Sequence, residues 1–288
     1  MWLLLGCWLA SGACLVAQVR VELTTDQEQF LPGERLLLQV KITNQSGETL
    51  KLGKESDWLK FAIEAVGGYV VNKLGEVPVT GEFTLATSEV ATKQVDVTPF
   101  FDVTTPGRYR VTASLTLPQW NLTAVSPAKA FDIINGTVLW QQDFGVPGSA
   151  STTKKSPEIR RYALQKATYL KQLQLYVRVS DAADNRVCRV FALAPMVSFS
   201  RPEAQIDRES CLHVLSQTGA RSFIYAMVNH EGELLVRHHY DYSATRPKLV
   251  VGDEGKVTVR GGTLRSTAQD LPAPATPIPD SNDAQPKP

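Results

Sequence analysis

Apolar and polar side chains alternate with a period of two in segment after segment beyond Gln18. Val19, Val21 and Leu23 interleave with Arg20, Glu22 and Thr24, and Leu36, Leu38, Val40 and Ile42 interleave with Leu37, Gln39, Lys41 and Thr43. Leu59, Phe61, Ile63 and Ala65 follow the same rule, as do Tyr109, Val111, Ala113, Leu115 and Leu117. Successive side chains of an extended chain point to opposite sides, so each such run has one face for a core and one for water. Turn signals separate the runs: Leu31-Pro32-Gly33-Glu34, Asn44-Gln45-Ser46-Gly47, Gly67-Gly68 and Pro106-Gly107. Roughly six to eight short strands before Ile134 predict a two-sheet sandwich.

Particular residues sharpen that expectation. Phe30-Leu31-Pro32-Gly33-Glu34, the alternating Leu36 to Ile42, then Asn44 and Gly47, resemble the opening of bacterial immunoglobulin-like domains. Thr105-Pro106-Gly107-Arg108-Tyr109-Arg110-Val111 is similar to the late strand of that fold, where a tyrosine follows a corner. The resemblance covers Val19 to Ile134. It implies a buried Tyr109 whose hydroxyl bonds to nearby backbone, and it says little about function, because such sandwiches host many.

Asn135-Gly136 is a turn signal that closes an expected first domain at 18–136. Residues 137–157 read as a linker, on the composition of FGVPGSASTTKKSP from Phe144 to Pro157. Glu158 to Lys171 reads as strand rather than helix, because it runs into the plain alternation of Leu173, Leu175, Val177 and Val179. A meander follows, with runs at Val187 to Leu193, Met196 to Phe199, Leu212 to Leu215, Ser222 to Val228 and Leu234 to His238. Asn229-His230-Glu231-Gly232-Glu233 forms its tight loop. Arg201-Pro202 leads into Cys211-Leu212-His213-Val214, and 45 residues later Arg246-Pro247 leads into Lys256-Val257-Thr258-Val259; Pro157 stands a further 45 residues upstream of Pro202. This order resembles β-propeller blades. A closed propeller takes about four or more blades, so a sandwich-like antiparallel meander of blade-like repeats over 158–265 is the expectation, and the whole chain is expected to be all-β. The Pro-, Ala- and Asp-rich tail, 266–288, has no apolar period and reads as disordered.

The first 17 residues, MWLLLGCWLASGACLVA, carry no charge and end in small residues. They read as a secretory signal (1–17) cut after Ala17, although no Lys or Arg precedes the apolar run. Cys14 after Ser11-Gly12-Ala13 resembles a lipoprotein attachment box with Ser11 in place of its usual leucine, which makes a lipid anchor at Cys14 the alternative to a periplasmic or secreted product. Removal of the leader leaves Cys188 and Cys211, which read equally as a disulfide or as two small buried side chains. No membrane span is expected after that removal. With 30 basic and 29 acidic residues well mixed, net charge +1, the chain offers no electrostatic case for nucleic acid.

No motif fixes a reaction. The four histidines, His213, His230, His238 and His239, lack the spacing of a metal site, since His238 and His239 should point to opposite faces of a strand. Phosphate-cradling loops, dinucleotide fingerprints and nucleophile elbows are absent, so no cofactor, metal or catalytic residue is assigned. Asp207 and Glu209, or Asp253 and Glu254, would suit glycosidic chemistry only if their turns faced one another across a pocket. His238, Tyr240 and Tyr242 share one strand face and form the candidate ligand-binding stripe. The function expected is a non-catalytic binding or scaffolding role at the cell envelope, toward a protein or glycan partner, in an oligomeric state the sequence leaves open. The alternatives are a secreted glycan hydrolase, or a protease inhibitor using Leu74 to Gly81. Fractionation of the native host with intact-mass measurement checks the leader: a product beginning at Gln18 is expected, and a mass retaining Met1 to Ala17 would refute export by this route.

Overall fold

The computed structural model describes residues 19–147 and 158–271. The leader with Cys14, Gln18, the second part of the expected linker (148–157) and the tail beyond Leu271 lie outside the described residues. The chain divides into two compact units, residues up to 30 with 36–133, and 31–35 with 134 onward.

The first unit contains β1 (Val19–Thr25), β2 (Gln29–Phe30), β3 (Leu37–Asn44), β4 (Leu50–Leu52), β5 (Leu59–Ala65), β6 (Phe83–Leu85), β7 (Val90–Asp96), β8 (Gly107–Leu117), β9 (Leu122–Val125) and β10 (Lys129–Ile133). One sheet has the order β1-β3-β7; the other runs β2-β10-β8-β5, with β9 on β8, and β4 pairs with β6. With β2 parallel to β10, this is the strand order of an immunoglobulin sandwich. Alternation places Leu38, Val40 and Ile42 of one sheet and Tyr109, Val111, Ala113 and Leu115 of the other at 0% exposure in one shared core. Tyr109 stacks on Phe131 at 5.4 Å and donates its hydroxyl to the Thr105 carbonyl. In the segment considered for protease inhibition, Leu74 to Gly81, Leu74 is exposed. Val77 and Val79 are buried, and Trp58 Nε1 donates to the Val79 carbonyl at 2.8 Å. Asn44, one of three Asn-x-Ser/Thr positions, is fully buried and donates to the Glu48, Leu85 and Ala86 carbonyls.

The second unit contains β11 (Thr137–Gly145), β12 (Ile159–Tyr169), β13 (Gln172–Asp181), β14 (Val187–Pro195), β15 (Glu203–Ile206), β16 (Leu212–Gln217), β17 (Ser222–Val228), β18 (Leu234–Asp241), β19 (Lys248–Val251), β20 (Val257–Arg260) and β21 (Thr263–Arg265). Sheet β11-β12-β13-β14 packs on sheet β15-β16-β17-β18-β21 through Leu164, Leu175, Val177 and Val179 on one side and Leu212, Val214, Ala226 and Val228 on the other. Each sheet is a meander with blade-like order, and the pair encloses one core as a sandwich. Residues 137–145, expected in the linker, are a strand, because Phe144 stacks on Tyr162 at 4.2 Å and Leu139 and Trp140 pack on the core. Met196 to Phe199, expected as a strand, is a turn closed by the Ser200 N–H on the Val197 carbonyl. The described part of the tail, 266–271, is attached to the sheet: Leu271 exchanges backbone bonds with Arg237.

The 45-residue repeat is a repeated hairpin. The N–H of Asp207 bonds to the Cys211 carbonyl at 3.0 Å, and 45 residues later the N–H of Gly252 bonds to the Lys256 carbonyl at 2.8 Å. Ser210 and Gly255, at matching positions, have φ of 62° and 75°. The first copy is the β15–β16 edge of the large sheet, whereas the second, β19–β20, is a two-stranded sheet of its own.

Leu38→Ala should lower stability by about 2–5 kcal/mol through a core cavity, and Tyr109→Phe by about 1 kcal/mol through the lost corner bond. Urea denaturation of each variant checks the order, and a smaller loss for Leu38→Ala than for Tyr109→Phe would contradict this core.

Candidate functional site

The outer face of sheet β15–β18 is apolar at one end and polar at the other. Leu215, Phe223 and Val236 are buried there, and Leu249 and Val259 of the β19–β20 hairpin pack against them. The Leu249 N–H donates to Glu203 Oε2 at 2.8 Å, fixing the hairpin to β15. Beyond that apolar contact a cavity of about 640 Å³ opens, lined by Asp207, Glu209, His213, Tyr225, His238 and, from the hairpin, Glu254 and Lys256. Its size lies within the roughly 300–1,000 Å³ of small-ligand pockets. The turns of the two repeats therefore meet at one place: Arg208 of the first lies against Gly255 of the second, and a Cβ on Gly255 would stand 3.1 Å from Arg208 Cγ.

A hydrogen-bonded chain runs through the cavity wall. His213, 4% exposed, places Nε2 2.8 Å from Asp207 Oδ2 and Nδ1 2.8 Å from the Tyr225 hydroxyl. The Cys211 N–H donates to the other carboxylate oxygen, Asp207 Oδ1, at 2.7 Å. In the tautomer that carries its proton on Nε2, His213 donates to Asp207 and its Nδ1 accepts the Tyr225 O–H. The phenol oxygen then keeps a lone pair to accept from whatever enters. Burial, ahead of the charges of neighbouring groups, pushes the Tyr225 pKa up to about 12, so the phenol stays protonated. His238 lies across from Tyr225 in the strand register, with ring centroids 6.2 Å apart.

Asp207 has both oxygens engaged, Glu209 and Glu254 are exposed at turn tips, and no Ser or Thr lines the cavity among the described residues. Cys211 is a free thiol whose pKa burial pushes up to about 11, far from a reactive thiolate. Cys188 is also free, so the candidate disulfide is not formed.

The candidate stripe is divided. His238 enters the cavity, Tyr240 packs under the hairpin with Leu249 and Val259, and Tyr242 is 41% exposed with Arg221 over its ring at 5.5 Å. His239 does point to the opposite face, where Nδ1 meets Asp270 Oδ1 at 2.7 Å. Sequence reasoning did not single out Lys256, although its place opposite Cys211 in the repeat was visible.

At neutral pH, Tyr225→Phe should cost about 1–3 kcal/mol by leaving buried His213 Nδ1 without a donor. The Tyr225 pKa is raised from 10.0 to about 12, so its neutral-form stabilisation is complete below pH 10 and fades as pH climbs toward 12. Urea midpoints of wild type and variant should therefore converge over that interval, and a gap that stays constant would contradict the buried phenol. No protein-family model matches the chain, and no curated protein shows significant similarity to it.

Proposed function

We propose that the chain is an exported, non-catalytic binding protein of the cell envelope whose second unit holds a glycan in the cavity between its two repeat turns. The observation that carries this reading is the convergence of Glu209, Glu254, Lys256 and His238 around the Tyr225 hydroxyl, above the apolar side chains of Met227, Val236 and Val257. A sugar presents hydroxyls at its rim and C–H groups on its faces. Carboxylates accept from those hydroxyls, the ammonium donates to them, and the apolar floor takes the C–H faces. The Asp207–His213–Tyr225 chain supports the site by fixing one acceptor in a desolvated wall, where a hydrogen bond counts for more than in water. Export rests on the leader sequence.

A hydrolase is the second reading, favoured by one observation: Glu209 and Glu254 come from different turns to the same cavity. Titration calorimetry with chitotetraose, cellotetraose and envelope glycan from the host tests both readings. Saturable binding that weakens roughly tenfold in His238→Ala and Lys256→Ala, the loss of about 1.4 kcal/mol, with the sugar recovered intact, is expected. Cleavage of the sugar that stops in Glu209→Gln or Glu254→Gln would replace binding with hydrolysis. Absence of binding to all three would end the glycan proposal.

A further inference from the structure

A second cavity, about 340 Å³, lies on the other side of β18, and its wall is cationic. Arg237 and His239 alternate with Val236 and His238, so their side chains leave the sheet on the face opposite the first cavity. Arg265 of β21, Thr218 and Ser222 beside the β16–β17 turn, the Gly219 backbone and Gln269 complete the polar part of the lining.

Arg237 is the group whose charge is least answered. Its Nε is buried with no hydrogen-bond partner, and its side-chain bond runs from Nη2 to the Leu193 carbonyl at 3.2 Å. No ion pair involves it among the described residues. Desolvation lowers its pKa, the direction expected when a cation loses water without gaining an anion. A guanidinium presents five donors in a fixed fork, and one long bond to a neutral carbonyl uses a single one. The nearby carboxylates serve other groups. Asp270 Oδ1 faces His239 Nδ1 at 2.7 Å and its Oδ2 accepts the Thr267 N–H at 2.7 Å. Asp241 Oδ1 stands 3.7 Å from Arg265 Nη1 and 3.5 Å from Ser222 Oγ.

We propose that this cavity binds a tetrahedral oxyanion, the phosphoryl or sulfuryl group of a small ligand, with Arg237 as its principal partner and Arg265 as a flanking donor. The fork of Arg237 supplies paired N–H groups, the geometry that suits phosphate oxygens. Thr218 and Ser222 hydroxyls add neutral donors that a tetrahedral anion, with more oxygens than a carboxylate, can use. The site is separate from the glycan cavity, so either can fail without the other.

Titration calorimetry of the full chain with inorganic phosphate, glycerol 1-phosphate and acetate, at low and constant ionic strength, tests the proposal. Saturable phosphate binding is expected, tighter than acetate, and at least ~10-fold weaker in Arg237→Met, the loss of about one charge-assisted hydrogen bond. Tighter binding of glycerol 1-phosphate than of phosphate would assign the phosphoryl group of a larger ligand, and equal binding the free anion. Near-UV circular dichroism shows whether Arg237→Met is folded. If it is not, Arg265→Gln, at a half-exposed position, provides the reading, with an expected loss of roughly 3-fold, a fraction of the same interaction. No saturable phosphate binding by wild type, acetate binding as tight as phosphate, or unchanged binding in the folded variant would overturn the proposal.

Discussion

Burial of one sheet on both faces governs the second unit. Strand β16 is buried at every position from Leu212 to Gln217, with the β11–β14 sheet on one side and the β19–β20 hairpin on part of the other. A polar side chain on such a strand needs a partner inside the protein to offset its loss of water, and Ser216 Oγ has none among the described residues. His213 meets that demand with Asp207 on one nitrogen and Tyr225 on the other. The hairpin's apolar residues cover one end of the outer face and its charged turn reaches the other end, and the cavity is the space between cover and turn. The site thus follows from where the covering element runs out of apolar side chains.

The same economy explains how two similar hairpins come to have different roles. The first copy donates an edge to the large sheet, and its turn supplies Asp207 to hold the histidine. The second copy makes no edge bond to that sheet and lies on it as a lid, joined through Glu203 and the Leu249 N–H. Matching left-handed positions at Ser210 and Gly255 keep the two turns alike, and this brings acidic side chains from both to one opening. On the opposite face of β18 the alternation of the strand sends Arg237 and His239 into a different setting, where residues 267–271 fasten onto β18.

Much of this was legible in the sequence. Alternation identified β1, β3, β5 and β8 of the first unit and β13 of the second, since a pleated chain exposes its two faces in turn whatever it packs on. Tyr109 and its corner were legible as what the resemblance to immunoglobulin-like domains implies, and the partner carbonyl of Thr105 is only four residues away. The strand at 137–145 was obscured by the Gly- and Ser-rich stretch that follows it, and by a bulge between Val138 and Trp140 that breaks its alternation. Tyr240 looked equivalent to His238 by period alone, yet one is covered and the other open.

The sequence by itself determined the all-β class, the sandwich of the first unit and the recurrence of a hairpin after 45 residues, because each rests on spacing between near neighbours. Tertiary structure decided that Asp207, His213 and Tyr225 form one chain, that the two repeat turns share a cavity, and that Arg237 has no carboxylate partner among the described residues. Those outcomes depend on which faces of distant strands are pressed together and which are left to water. No local period encodes that choice.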